Sequence, residues 1–330
     1  MSNQSFTADI DHRNNKALLV QQIYGRVIQV SKTFLFLLIT VESASAFDAK
    51  RHSIYTLDAV QAFSDCKGIN LSLDAGAALA AGTEAEDTSL LTLDERVTNW
   101  HFYNRDYKLR PGWFGSRNLD GIFAKRIMTL EEQLTSEKSN PVEVYEYAGR
   151  VLHYIQDMSV PAHVVPVFHV KLPLLDLSDP FDDFKRREGL PPFQLTPAQC
   201  ETLRAEVVAN KTYPTTLLNN AAKDTLWIIG QTKSPNAPQT SWVKYWHYPA
   251  QQQSDAYKGW GDYGVCAFTR GSTVAGCKSD AELDALFEHQ YQQTLINSVR
   301  MLFYINERLN NKKTASTRKT KNAVGATCDL

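Results

Sequence analysis

The sequence predicts an all-α protein: a single multi-helix domain running from Phe47 to about Asn310. Three observations carry this expectation. Apolar residues recur at helical spacing through several long segments. Helix-start signals stand ahead of two of them, and no run alternates apolar and polar residues as a half-buried strand would. The 330 residues are 43% hydrophobic and 22% charged, which supplies a substantial core and excludes a disordered chain.

Taken in order, residues 58–81 supply one or two helices. Residues 118–138 carry Ile122, Phe123, Ile127, Leu130 and Leu134 on one face. Asn140-Pro141, with Glu143 two residues on, is a helix start: a capping side chain, a proline in the first turn and a carboxylate near the positive helix end. Val144, Ala148, Val151, Leu152 and Ile155 then recur at helical spacing, and Pro161 ends that helix. Thr196-Pro197 opens another helix, to about Ala209. Residues 216–230 form the next, apolar over much of its surface. Residues 280–310 form the longest, with Leu283, Leu286, Leu295, Ile296, Val299, Leu302 and Ile305. The connections 164–195 and 231–279 are long. The first is rich in Pro and Asp, and the second holds Trp242, Trp246 and Trp260, aromatics expected to pack internally. Residues 311–330 are polar and basic and read as a loose, solvated tail.

The N-terminus is not expected to join the fold. Arg26 and Lys32 precede the short apolar run 33–41, and Ser43-Ala44-Ser45-Ala46 follows. That order describes a secretory signal of residues 1–46, which leaves Phe47 as the first residue of the exported, extracellular protein. Export suits the five cysteines, Cys66, Cys200, Cys266, Cys277 and Cys328. Cys266 and Cys277 are near enough in sequence to close a small loop, and Cys328 is the best candidate for the odd thiol. No C-x-x-C pair exists, so a metal site must use His and carboxylates.

Charge narrows the function. Lys and Arg total 35 against 36 Asp and Glu, a net charge of -1. That balance argues against a dedicated nucleic-acid binder held by phosphate neutralisation. The chemistry concentrates in the segment 153–163. His153 and Asp157 are four residues apart on one helix and project from the same face. Pro161 turns the chain and brings His163 in from another direction. Imidazole nitrogen and carboxylate oxygen together suit zinc. Glu86-Asp87 follows a helix-like run, His101 stands among Trp100, Phe102 and Tyr103, and His52 and His169 extend the set. Only His247 and His289 of the exported part are left over.

On these residues the chain resembles the zinc-dependent phospholipase C and P1/S1 nuclease superfamily. The likeness covers nearly the whole stretch from Phe47 onward, and its strongest motif is His153-x3-Asp157-x5-His163. Asp87-x13-His101, followed by Phe102-Tyr103-Asn104, is similar to the phospholipase branch. His52, close to the expected mature N-terminus, is nearer the nuclease branch. The resemblance implies an all-helical secreted enzyme with up to three zinc ions. Asp87, His101, His153 and Asp157 would surround the first. His163 would hold the second, with His169 and Asp182 as its further pair and Asp183 as the close alternative. Asp176 and Asp179 compete for the same role, because the family's usual His-x3-carboxylate spacing is broken here: Ser178 stands four before Asp182. Backbone atoms of Phe47, with His52 and a shared Asp157, would hold the third. Asp87 would also be catalytic, as a ligand or by orienting or deprotonating the attacking water. The implied reaction is hydrolysis of the glycerol-side phosphodiester of a glycerophospholipid, phosphatidylcholine being the family's usual substrate and a phospholipid membrane surface the partner. Thr88 and Thr98 stand where choline-selective members place rings. A single-strand nuclease, for which nucleic acid would be the partner, and a non-enzymatic zinc-binding surface protein are the alternatives.

Overall fold

A computed structural model of the chain describes residues 49–66, 71–89, 101–105, 118–167, 169–172, 175–177, 179, 181, 190–209, 213–230, 242–247, 260–266 and 281–325, without the side chains of 49, 170–172, 175–177, 262, 281–282 and 315–325. The expected signal segment, Phe47, Thr98, Asp182, Asp183, Cys277 and Cys328 lie outside these residues.

The protein is all-α, as the periodicity predicts. The helices are α1 (Ala49–Ser64), α2 (Leu73–Thr88), α3 (Asp120–Thr135), α4 (Pro141–Asp157), the single turn α5 (Pro161–Val164), α6 (Pro197–Ala209), α7 (Tyr213–Ile229) and α8 (Ala281–Gly325). A 3-10 turn (Trp242–Lys244) and two short strand pairs complete the described elements. Val170–Leu172 (β1) pairs with Leu175–Leu177 (β2), and Trp246–His247 (β3) pairs antiparallel with Asp262–Tyr263 (β4). They are only two or three residues long, too short to register as alternation in the sequence. All the helices belong to one compact unit, Ser45–Val170 with Leu177–Leu330.

Local chemistry sets the helix ends. The Asn140 side chain accepts from the Val142 N–H at 3.0 Å, and Pro141 occupies the first turn. Ser72 caps α2 in the same way, accepting from Ala75 N–H. α4 stops at Asp157, earlier than expected, and Pro161 opens the one-turn α5 instead of closing α4. The reason is local: Met158 to Val160 turn tightly, with Ser159 N–H on Gln156 O and Val160 N–H on Asp157 O, both at 2.9 Å. Proline lacks the N–H that a continuing helix needs, and it suits a first turn where none is needed. At the other end of the chain α8 runs on to Gly325, through most of the segment expected to be a loose tail. Its Lys, Arg and Ala residues are strong helix formers, and the buried turns before them supply the nucleus.

The core lies around α4, which α2, α3, α7 and α8 all contact. Val144, Ala148, Val151, Leu152 and Ile155 are all fully buried, so the apolar stripe read from sequence is the packed face. α8 lays Leu283, Leu286, Leu295, Val299, Leu302 and Ile305 against α1, α4, α6 and α7. Trp242 and Trp246 pack internally, as expected. A Cys66–Cys200 disulfide ties the turn after α1 to α6 across 134 residues of sequence. Closing a loop of that length removes about 5 kcal/mol of chain entropy from the unfolded state. Cys266 is disulfide-bonded too.

The tightest contact in the fold is the crossing of α2 over α4. A Cβ on Gly82 would stand 2.1 Å from Glu146 O, and one on Gly149 would stand 2.2 Å from Leu79 O. The two helices touch backbone to backbone. Alanine within a helix normally stabilises by about 1 kcal/mol over glycine. Here the sign reverses: Gly82→Ala and Gly149→Ala must push the helices apart and are expected to cost about 1–3 kcal/mol each. Urea unfolding of the two variants against the parent measures this, and unchanged or increased stability would refute the close crossing.

Candidate metal centre

Five segments converge behind that crossing. α1 brings His52, the end of α2 brings Asp87, and the 101–104 loop brings His101. α4 brings His153 and Asp157, and α5 brings His163. All six are buried, with His101 the most exposed at 5%. The helical i, i+4 relation puts His153 Nε2 3.4 Å from Asp157 Oδ2. The 101–104 loop is strapped in place by backbone bonds, Tyr103 N–H to His163 O at 2.9 Å and Leu119 N–H to Phe102 O at 3.1 Å. Asn118 adds two more, accepting from Asn104 N–H and donating to Asn104 O, both at 3.0 Å.

Asp157 is the centre of the group. Its Oδ1 faces His52 Nε2 at 3.3 Å and His163 Nδ1 at 3.9 Å. Its Oδ2 faces His101 Nδ1 at 2.9 Å and His153 Nε2 at 3.4 Å. Asp87 Oδ1 lies 3.7 Å from both His101 Nε2 and His153 Nε2, and Asp87 Oδ2 lies 3.9 Å from His52 Nε2. Three donor triads result, each compact enough for one ion: His52, His153 and Asp157; Asp87, His101 and His153; His101, Asp157 and His163.

The surroundings decide what these rings present. His153 Nδ1 donates to Thr83 O at 2.9 Å, and His169 Nδ1 donates to Val167 O at 2.8 Å. His52 Nδ1 lies 2.7 Å from Gln156 Oε1. The amide of Gln156 is oriented because its Nε2 donates to Thr56 Oγ1 at 2.9 Å and Ser298 Oγ at 3.2 Å. Those hydroxyls spend their own protons elsewhere, on Thr83 Oγ1 and Thr294 O. The Gln156 oxygen is thereby left as acceptor, so His52 carries its proton on Nδ1. In all three rings the outer N–H is held by oxygen and the Nε2 lone pair points inward. This is the support that metal-ligating histidines have.

Such a site has no stable neutral filling of its own. Both Asp157 oxygens, His163 Nδ1 and His169 Nε2 are buried without a hydrogen-bond partner. Burial opposes charge on every group here, and the neighbours set the outcome. Burial works against ionised Asp157, but His153, His101 and His163 hold its carboxyl well below the usual range. Burial, together with the other imidazoles, holds His153 and His163 well below the ordinary histidine value. For His101 burial lowers the value, but Asp157 and Asp87 outweigh it and push it up to about 9. His52 moves upward against burial through the same two carboxylates. The donor set therefore demands positive charge at its centre, which protons on His52 and His101 or a divalent cation can supply. Borderline-soft nitrogen and carboxylate oxygen fit zinc.

His169 joins from beyond α5. Its ring lies 5.2 Å from that of His163, and Phe102 stands against both. Asp182, expected beside it, lies outside the described residues. Asp179, one of the competitors for that role, is fully buried; burial pushes its carboxyl up, and burial lowers His169 although the Asp179 charge opposes this. Sequence reading did not single out Gln156, although its place beside Asp157 and three residues from His153 put it within reach of the site. Glu86 was noticed only as Asp87's neighbour. It is fully buried, taking Arg126 Nε and Arg150 Nη1 at 3.0 Å on Oε1 and the Tyr154 hydroxyl at 2.6 Å on Oε2. These bonds from α3 and α4 lock the last turn of α2, from which Asp87 projects.

No family model, curated protein or solved structure matches the chain.

Two outcomes follow from the site's supports and charges. Gln156→Leu removes the acceptor that fixes His52 and is expected to weaken metal binding about 10–100-fold, readable by competition with a chromophoric chelator. In the metal-free protein, His101 has a folded value raised from 6.5 to about 9. Its stabilising contribution is therefore complete below about pH 6.5 and lost as pH rises through about 9. Metal-free protein should lose thermal stability between those pH values, whereas zinc-loaded protein should not. Parallel pH profiles with chelator and with zinc test this.

Proposed function

We propose that the protein is a secreted zinc-dependent phosphodiesterase, a phospholipase C that splits the glycerol-side phosphodiester of glycerophospholipids into diacylglycerol and a phosphorylated head group. The observation that carries the reading is Asp157, buried at the meeting point of four imidazoles, two of which, His52 and His153, are supported so that their Nε2 lone pairs turn inward. The arrangement agrees with the resemblance to the zinc-dependent phospholipase C and P1/S1 nuclease superfamily, in which this aspartate is shared between ions.

His52, His101, His153, His163, Asp87 and Asp157 are the groups that would hold zinc. Zinc so held lowers the pKa of water to near 7 and neutralises charge developing on phosphoryl oxygens. The chain's own part is positioning and proton handling. Asp157 stays ionised and ties the ligand groups together. Asp87, anchored from behind by the clasp on Glu86, orients the attacking water or takes its proton. Burial of the whole set strengthens each of these interactions. The glycerophospholipid substrate, rather than single-stranded nucleic acid, is favoured by the Asp87-x13-His101 spacing and the near-neutral charge. Export is supported by the Cys66–Cys200 disulfide, a bond typical of oxidising compartments.

The test is a product analysis. The protein, made as the full chain and starting at Phe47, is incubated with phosphatidylcholine vesicles and single-stranded DNA together, with and without a zinc chelator. Chelator-sensitive diacylglycerol is the expected product, lost in Asp87→Asn while the fold is kept. Nucleotides without diacylglycerol would assign the nuclease reading, and neither product would leave a zinc-binding surface protein.

A further inference from the structure

His163 reaches the centre because the chain breaks between α4 and α5. In an unbroken helix the Met158 carbonyl would accept from Ala162 N–H and the Ser159 carbonyl from His163 N–H. Here the His163 N–H goes to Val160 O at 3.0 Å. Side chains from two other helices take the two carbonyls. From α7, the Thr225 hydroxyl donates to Met158 O at 2.7 Å, and from α8, Gln290 Nε2 donates to Ser159 O at 2.7 Å. Gln290 Nε2 also donates to Thr225 Oγ1 at 2.8 Å. The directions are forced. A carbonyl oxygen only accepts, so Gln290 must present its nitrogen to Ser159. Its second proton then falls on the Thr225 oxygen, and the Thr225 proton is left for Met158. All four residues are buried.

This clamp belongs to one stripe of α8. Gln290, Thr294 and Ser298 are spaced four apart, on one face, and all are buried. Ser298 Oγ accepts from Gln156 Nε2 at 3.2 Å, so one end of the stripe serves the support of His52 and the other serves the α4–α5 break. Its partners, Gln156 and Ser159, lie on either side of Asp157. Polar groups in a helical core are costly unless each is paired, and an apolar stripe would fill the same place without that demand. We propose that Gln290 and Thr225 are positioning residues for the metal centre: by holding the two carbonyls that the break frees, they set where His163 stands relative to Asp157. The inference rests on the metal-centre reading above and adds the device that shapes its third triad, His101, Asp157 and His163. Without the clamp two buried carbonyls lose their donors, and the peptides between Asp157 and His163 must turn to find others. Orienting partners of metal ligands commonly change metal affinity about 10–100-fold when removed.

The experiment titrates the full chain with zinc and, separately, with cobalt(II), whose visible absorption reports the ligand set. Parent, Gln290→Met, Thr225→Val and Thr225→Ser are compared for the number of ions bound and the affinity of each. Apoprotein melting temperature is measured alongside, and His163→Ala identifies the ion that His163 holds. Asn140→Ala loses the cap at the other end of α4 and supplies a destabilised protein with the break untouched. Gln290→Met and Thr225→Val are expected to weaken the His163 ion about tenfold or more and to change its cobalt spectrum. Thr225→Ser keeps the hydroxyl and should bind as the parent does. Asn140→Ala should melt lower with every affinity and spectrum unchanged. Thr225→Val exchanges only a hydroxyl for a methyl, so it keeps the test decisive if Gln290→Met fails to fold. Equal weakening of all ions in step with melting temperature, matched by Asn140→Ala, would reduce the clamp to a structural role and overturn the proposal. Parent-like affinities and spectra in Gln290→Met and Thr225→Val would overturn it too, with the metal-centre reading left standing. A parent that binds neither zinc nor cobalt would overturn both.

Discussion

The whole centre depends on how closely α2 approaches α4. Glycine at 82 and 149 lets the two backbones touch, each position leaving no room for a methyl group. Glycine inside a helix costs about 1 kcal/mol against alanine, so the sequence gives up helix stability at two places to gain this contact. The contact is what lets the Thr83 carbonyl reach His153 Nδ1 and lets Arg150 and Tyr154, on α4, reach Glu86 on α2. A wider crossing would break these bonds together. It would also draw Asp87 away from His153, because Asp87 follows Glu86 on the same turn. The first half of the metal centre is thus set by a backbone distance that two glycines fix.

Electrostatics explains why that geometry is worth its cost. Two buried carboxylates at the centre of a helical core would each protonate in isolation, since burial disfavours the charged form. Here imidazoles surround them at 2.9–3.9 Å, and Asp157 remains ionised. The imidazoles in turn compete for protons. Burial, joined by the neighbouring imidazoles, drives His153 and His163 neutral, whereas His52 and His101 gain from the same two carboxylates. A divalent cation meets all of these demands together: it supplies the positive charge, takes the inward lone pairs and leaves the outer N–H groups bonded as they are. Glu86 follows a different logic. Its partners are arginines and a tyrosine, it offers no oxygen to the centre, and it serves as an anchor.

How much of this the sequence revealed follows from how local each feature is. His153 and Asp157 were legible because one helix with a clear start at Asn140-Pro141 fixes their relation. His163 was legible because Pro161, two residues before it, marks a change of chain direction, although it does so by opening a new turn. The all-α class and the buried faces of α4 and α8 followed from apolar spacing alone. Pairings set by distant chain were not legible. Cys66 meets Cys200 because α1 and α6 both pack on α8, and nothing near either residue announces it. Asp179 is the acidic residue of its loop that is held in the core because Trp246 and Tyr263, more than sixty residues on, converge on it. From sequence it was one acidic residue among several in a loop. The run of α8 to Gly325 was hidden for another reason: its last residues are polar and carry no apolar period, and helicity there comes from residue propensity and the ordered turns before it.

The two halves of the centre are therefore built on different principles. Around Asp157, most of the candidate ligands project from helices whose backbones are already fixed by packing, so their positions are set when the core forms. Around His169, the side chains sit on a single helical turn and on loops. There the same precision has to come from individual bonds: Gly261 to Pro166, Tyr103 to His163, and Trp246 and Tyr263 to Asp179. A helix-borne site resists the removal of any one support because the remaining turns still hold the side chain. A loop-borne site has few supports, and each carries a large share of the geometry. Trp246, in the core, and the half-buried Trp260 and Tyr263 supply such bonds and contacts from the 231–279 connection, fixing loop side chains as packing fixes the helical ones.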